Sequence, residues 1–175
     1  LLPGCTPTPG STHTANRCAT RQHQTAPTSS KKRIPGGIQG STVVLNTVGL
    51  TQSGAITATS LDVTNSADAV VLTSATNSLT NVEIDNTGNS VSFTNSAATN
   101  ISPGGIQGSA VVLNTAGLTQ SGAITATSLD VTNSADAVVL TDATNSLTNV
   151  EIDNTGNSVS FTNAAATNIS AGGIQ

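Results

Sequence analysis

Residues 36–103, opening Gly36-Gly37-Ile38-Gln39, return almost unchanged as residues 104–171, and Gly172-Gly173-Ile174-Gln175 opens a third copy. Each position i of the first copy recurs at i+68, and the two full copies differ at five positions only: Thr42/Ala110, Val48/Ala116, Ser74/Asp142, Ser96/Ala164 and Pro103/Ala171. A chain that repeats itself so closely is expected to fold as an array of stacked units, because each copy offers the next the surface it needs for itself.

The hydrophobic pattern says what kind of unit this is. Apolar residues come in short alternating runs, such as Leu61-Asp62-Val63, Val70-Val71-Leu72, Val82-Glu83-Ile84 and Val91-Ser92-Phe93. Alternation at a period of two marks strands with one buried face. Turn formers separate the runs: Asn65-Ser66, Asp85-Asn86-Thr87-Gly88-Asn89 and Pro103-Gly104-Gly105. The copies contain no apolar residues at helical spacing and no Lys, Arg or Met, so a helical solenoid is excluded.

A shorter period emerges when the runs are aligned. Val63, Ile84, Ile106 and Val131 follow one another at steps of 21, 22 and 25, and Leu72, Phe93, Leu113 and Leu140 at steps of 21, 20 and 27. A sparser row, Ile56, Leu79, Ile101 and Ile124, steps by 22 or 23. Each copy therefore reads as about three coils. A coil that returns each strand above its predecessor gives an all-β parallel β-helix, or β-solenoid, with coils roughly 4.8 Å apart and an array about 30 Å tall. The alignment stacks Asn65 with Asn86 and Val70 with Val91. It also stacks Asp62 with Glu83 and Asp130 with Glu151, a mildly destabilising arrangement that water and salt screen.

Composition agrees with a narrow interior. Only 35% of the chain is hydrophobic and 1% aromatic, too little for a large globular core. A slender coil needs one or two inward aliphatic residues per strand, with Ala, Ser, Thr and Gly fitting its corners. Phe93 and Phe161, equivalent in the two copies, are expected to fill one wider core layer each.

Residues 1–35 have another character. They hold all five basic residues, both His and five of the six Pro, and show neither helical nor strand periodicity, whereas all nine acidic residues follow Gly36. They read as a disordered or non-native leader or linker, followed by a β-helix over 36–171 built of 36–103 and 104–171, with 172–175 starting a further copy. The opening Leu1-Leu2-Pro3 lacks a signal-peptide pattern and the chain does not begin with Met, so it reads as an excerpt of something longer. No run approaches the roughly 18 apolar residues of a membrane helix. Cys5 and Cys18 lie outside the copies and do not report a disulfide framework.

Little in the copies suggests chemistry. Hydroxyls abound, but a Ser-His-Asp arrangement would have to borrow His13 or His23 from the leader. Glu83 and Asp85 share the outward face of a strand, yet recur unchanged as Glu151 and Asp153, as a structural unit would. Asp85 to Asn89 gathers oxygen donors around Gly88 but lacks both a Glu-terminated calcium loop and a calcium-binding nonapeptide, so it reads as a turn. Cys5, His13, Cys18 and His23 are spaced unlike any zinc finger. Lys31-Lys32-Arg33 reads as a solvated linker, and the all-acidic copies repel nucleic acid. Asn100-Ile101-Ser102 and Asn168-Ile169-Ser170 match a glycosylation pattern that chance explains in a chain so rich in Asn. No catalytic, cofactor-binding or metal-binding residue is assigned, and no cofactor is expected.

The strings LTQSGAITATSLDVTNSADAVVLT (50–73) and SLTNVEIDNTGNSVSFTN (78–95), with their copies at 118–141 and 146–163, resemble the repeat regions of filamentous haemagglutinin-like bacterial exoproteins. The resemblance covers about 140 of the 175 residues. It implies a right-handed parallel β-helical shaft, exported to the bacterial surface or released, that carries adhesive modules located elsewhere. The secretion-recognition domain of that family has no counterpart in residues 1–35, and there is no family active site to carry over.

The expected function is therefore a non-catalytic structural shaft of a secreted or surface-displayed adhesin. Its expected partners are neighbouring repeats, host surfaces met through absent domains, and other copies of the chain end to end; nucleic acid and membrane insertion are not expected. Two alternatives come from other classes. An ice-binding solenoid is suggested by Thr57-Ala58-Thr59, although the aligned rows Thr57, Thr80, Ser102 and Thr59, Val82, Gly104 are irregular. A polysaccharide-processing β-helix would need a non-repeating cluster of Asp, His or Arg, which the copies lack.

Overall fold

In the computed structural model, which describes residues 22–25, 32–34 and 36–175, the chain winds as a parallel β-solenoid. Sixteen strands follow one another among the described residues. They are β1 (Gln22–Thr25), β2 (Lys32–Ile34), β3 (Ile38–Thr47), β4 (Leu50–Gln52), β5 (Ile56–Asn65), β6 (Val70–Leu72), β7 (Ser78–Asp85) and β8 (Val91–Thr94). There follow β9 (Ala98–Gln107), β10 (Ala110–Thr115), β11 (Gly117–Gln120), β12 (Ile124–Asn133), β13 (Val138–Leu140), β14 (Ser146–Asp153), β15 (Val159–Phe161) and β16 (Asn168–Ile174). From β3 to β8 each strand pairs in parallel with the next but one, so the chain passes between two walls and returns one coil higher.

Side-chain alternation decides which face is buried. In β5 the exposure pattern places Ile56, Ala58, Leu61, Val63 and Asn65 inside and Thr57, Thr59 and Thr64 outside, a period of two whose phase shifts once, between Ala58 and Leu61. One inward column runs Leu50, Val70, Val91, Val111, Leu129, Val150 and Ile169, each paired with the next. Its six steps lie between 18 and 21, so a coil averages about 20 residues. All its members except Ile169 are at most 1% exposed. Burying each such side chain contributes about 1.5–3 kcal/mol, which is how a chain of low hydrophobicity holds one continuous core.

The columns confirm part of the expected alignment and correct the rest. Val63 pairs with Ile84 and Ile84 with Ile106, as the spacing indicates. Ile106 then pairs with Ile124, and Val131 pairs with Leu113 instead. The second row likewise holds through Leu72, Phe93 and Leu113, then passes to Val131, while Leu140 pairs with Phe161. The sparse third row is not a column: Ile56 pairs with Ile38, Leu79 with Ala58, Ile101 with Val82 and Ile124 with Ile106.

The long step from Ile84 to Ile106 has a local cause. Between Val82/Ile84 and their partners Ile101/Ile106 the register shifts, and residues 102–105 bulge out above Glu83. Pro103 has no N–H to give a ladder, and Gly105 sits at φ 80°, where a side chain is disfavoured. The second copy has Ala171 in place of Pro103 yet shows the same shift above Glu151, with Gly173 at φ 78°. The glycine pair is therefore what the two bulges share. Beyond the first bulge β9 forks: Ala98–Ile101 pairs with β11, and Ile106 and Gln107 pair with β12.

None of the five positions that differ between the copies is buried in either copy. Two pieces of backbone from the first 35 residues extend the ladder, β1 on β3 and β2 on β4, although that segment carries no strand alternation. The remaining readings of that leader, Cys5, His13, Cys18 and Lys31 included, fall outside the described residues.

Candidate functional site

The polar groups gathered most closely lie at the corners of the coil, and they are amides. Gln52 Nε2 donates to Asn77 Oδ1 at 2.8 Å while Asn77 Nδ2 donates to Gln52 Oε1 at 2.9 Å. Asn77 also accepts from Ile56 N–H at 2.8 Å and donates to the carbonyls of Leu72 and Thr94. The second copy rebuilds this cluster with Gln120 and Asn145, which accepts from Ile124 N–H. A neighbouring corner stacks Asn65 Nδ2 on Asn86 Oδ1 at 2.7 Å, as the spacing indicates, and Asn133 on Asn154 repeats it. Asn95 joins Leu79 N–H and C=O from the adjacent coil.

Each of these asparagines lies beside a turn, where backbone groups leave the ladder and must find partners. Asn77, Asn86, Asn145 and Asn154 are fully buried, and among the described residues no buried side-chain nitrogen or oxygen lacks a partner. Only half of this set is visible in the sequence. Asn65 over Asn86 follows from a one-coil step along the sequence, but Gln52 and Asn77 lie further apart than one coil and stand at different points of the wall. In a chain where nearly every residue recurs, recurrence could not single them out.

The acidic residues do not converge. Asp62 pairs with Glu83 and Asp130 with Glu151 on outward positions of adjacent coils, as expected. Burial first, and the Glu151 carboxylate second, push the Asp130 carboxyl above the ordinary aspartate value. Asp85 works locally. Its Oδ1 accepts from Thr87 N–H at 3.3 Å and Thr87 Oγ1 at 2.9 Å, capping the turn at Gly88, whose φ is 83°. Asp153 caps the equivalent turn through Thr155. Glu83 and Asp85 therefore serve separate local structures, and the Asp85 to Asn89 segment is a turn. Among the described residues no group of three or more His, Cys, Asp or Glu side chains is placed to hold a metal ion.

The other positions weighed in the sequence resolve similarly. Asn100 Nδ2 donates to Asn81 Oδ1 at 3.1 Å and Ser121 Oγ at 3.2 Å, and Asn168 donates to Asn149 at 3.0 Å. Thr57 stands between Gln39 and Ser78, and Val82 is fully buried, so the irregular rows aligned on Thr57 and Thr59 are not columns of the folded chain. Phe93 is 2% exposed within the core, and Phe161 packs against the core partly buried. A shallow groove of about 310 Å³ runs along the outer wall past Thr80, Thr99, Asn100, Leu118 and Asp136, without a cluster of charged groups.

These features define a class of protein, a parallel β-solenoid whose interior is made of aliphatic columns closed at the corners by buried amides. No family model, curated protein or solved structure matches the chain. Among the described residues no helix is long and apolar enough to cross a membrane.

Proposed function

We propose that this chain is a stretch of structural shaft from a secreted or surface-displayed bacterial adhesin, wound right-handed with a little more than three coils per copy. The observation that carries the reading is the unbroken column from Leu50 to Ile169, which passes from one copy into the next with no interruption of pairing. A continuous ladder makes a stiff rod, and near-identical copies extend it without adding binding chemistry. Right-handed winding is supported by the strong bias of parallel crossover connections. The adhesin role and the export of the parent protein rest on the resemblance of residues 50–73 and 78–95 to exoprotein repeats.

Two measurements test the two halves of this reading. Chains carrying two, three and four copies, imaged by electron microscopy, should lengthen by about 16 Å per copy at constant width; globular thickening instead of elongation would sink the shaft. Protease treatment of intact source cells should remove material recognised by antibody against residues 50–73. Protection of that material until the cells are lysed would refute surface display.

A further inference from the structure

Sequence-equivalent residues of the two copies do not stand in the same column. Val91 belongs to the column that continues through Val111 and Leu129 to Val150. Its equivalent, Val159, pairs with Val138, which pairs with Leu118, which pairs with Thr99. Val159 follows Val150 by nine positions, and a coil is about 20 residues long, so nearly half a turn separates them. Other equivalent pairs agree. Val111 has joined the Leu50 column, although its equivalent Val43 pairs with Leu61 in the column of Val82 and Ile101. Ile84 lies over Val63, and its equivalent Ile152 lies over Val131 in the column of Leu72 and Phe93.

We infer that each copy winds about 3.4 times, so that adding one copy raises whatever the shaft carries by about 16 Å and also rotates it by about 0.4 of a turn. Copy number then sets direction as well as reach. Outward groups that recur in sequence follow a spiral. The capped turn at Asp85 is flanked by the columns of Gln107 and Val91, whereas the equivalent turn at Asp153 is flanked by those of Thr132 and Val138. A binder that engages copies singly, or wraps the rod, fits such a surface. A flat partner meeting the same group on successive copies does not.

The inference rests on the shaft reading, and paired distance measurements separate its failure from the failure of that reading. In the full chain with Cys5→Ser and Cys18→Ser, nitroxide labels are placed through Ser90→Cys and Ser158→Cys, equivalent and exposed positions. Copies stacked face over face would hold these about 16 Å apart, whereas the rotated arrangement gives about 25 Å. The control pair, Asn46→Cys with Ser146→Cys, occupies one outward column five coil steps apart, about 24 Å. Pulsed dipolar spectroscopy should find similar distances for both pairs. A test distance of about 16 Å with the control intact overturns the rotation alone, and a control that departs widely from about 24 Å overturns the coil stacking itself. Ser92→Cys with Ser160→Cys repeats the test at a second equivalent pair.

Discussion

Gln52 and Asn77 face each other across the coil corner and exchange two amide hydrogen bonds, at 2.8 and 2.9 Å. Asn77 is fully buried and also serves Ile56 N–H and the Leu72 and Thr94 carbonyls. Asn77→Ala would leave several of these groups buried without partners, at about 1–3 kcal/mol for each one unsatisfied. The expected loss is about 3 kcal/mol or more in urea unfolding, against under about 1 kcal/mol for Asn81→Ala, whose amide donates to Thr59 O and accepts from Asn100 Nδ2 on the outer face, where water can replace both. Equal losses for the two variants would show that the corner amides do not hold the coil.

Two glycines separate soft from hard crowding. A Cβ at Gly104 would lie 1.9 Å from Glu83 Oε1, the free end of a flexible side chain that can swing away. A Cβ at Gly122 would lie 2.2 Å from the Ser102 carbonyl oxygen and 2.5 Å from that of Pro103, which are backbone. Gly122→Ala should therefore cost about 1–3 kcal/mol or more, and Gly104→Ala less. Adding Glu83→Ala should restore the Gly104→Ala variant and leave the Gly122→Ala variant unimproved, as a thermal-melt comparison would reveal.

The acidic rows make stability depend on pH in a defined direction. Asp130 is raised above its ordinary value of 3.8, so the unfolded chain gives up that proton first, and stability falls as pH rises from the ordinary value to the raised one. Asp142 has the opposite sign: the Thr144 hydroxyl and N–H lower it, so its contribution is present above the ordinary value and is lost as pH falls through the lowered one. Asp130→Asn is expected to raise the unfolding midpoint at pH 7 and leave it little changed at pH 2. A shift of the same size at both pH values would trace the effect to packing.

Taken by itself, the 175-residue chain leaves Ile169 47% and Ile174 40% exposed on its last coil, while their column partners Val150 and Ile152 are fully buried. Unpaired strand edges with exposed aliphatic residues invite further pairing. The isolated chain is expected to associate end to end, with a sedimentation coefficient that rises with concentration. Ile169→Lys should weaken that rise several-fold. A monomer at every accessible concentration would refute the expectation.

The strand alternation and the step of about 20 residues were legible in the sequence because each inward aliphatic residue has an unmistakable outward neighbour, as in Leu61-Asp62-Val63. The columns could be followed from Val63 to Ile106 and from Leu72 to Leu113 for the same reason. Beyond the junction the sequence misleads, because rows that close on the length of one copy put Val131 above Ile106. In the folded chain a long step from Ile84 to Ile106 crosses the bulge, and a short one from Ile106 to Ile124 follows it. The long step is set by backbone at Gly104-Gly105, which leaves no hydrophobic signature, and the short step recurs between Leu113 and Val131 away from the bulge. The amide corner of Gln52 and Asn77 was hidden differently. Polar residues at turns are ordinary, and only the third dimension shows that Asn77 points inward.

The five substitutions between the copies all sit away from the interior, while the interior residues themselves are shared by both copies and must suit more than one wall. A gene segment of this kind tolerates slippage: unequal recombination that duplicates or removes a whole unit presents the same side chains at every newly formed seam. Drift is then confined to the outside of the rod, where it can alter what the surface displays without touching what keeps it wound.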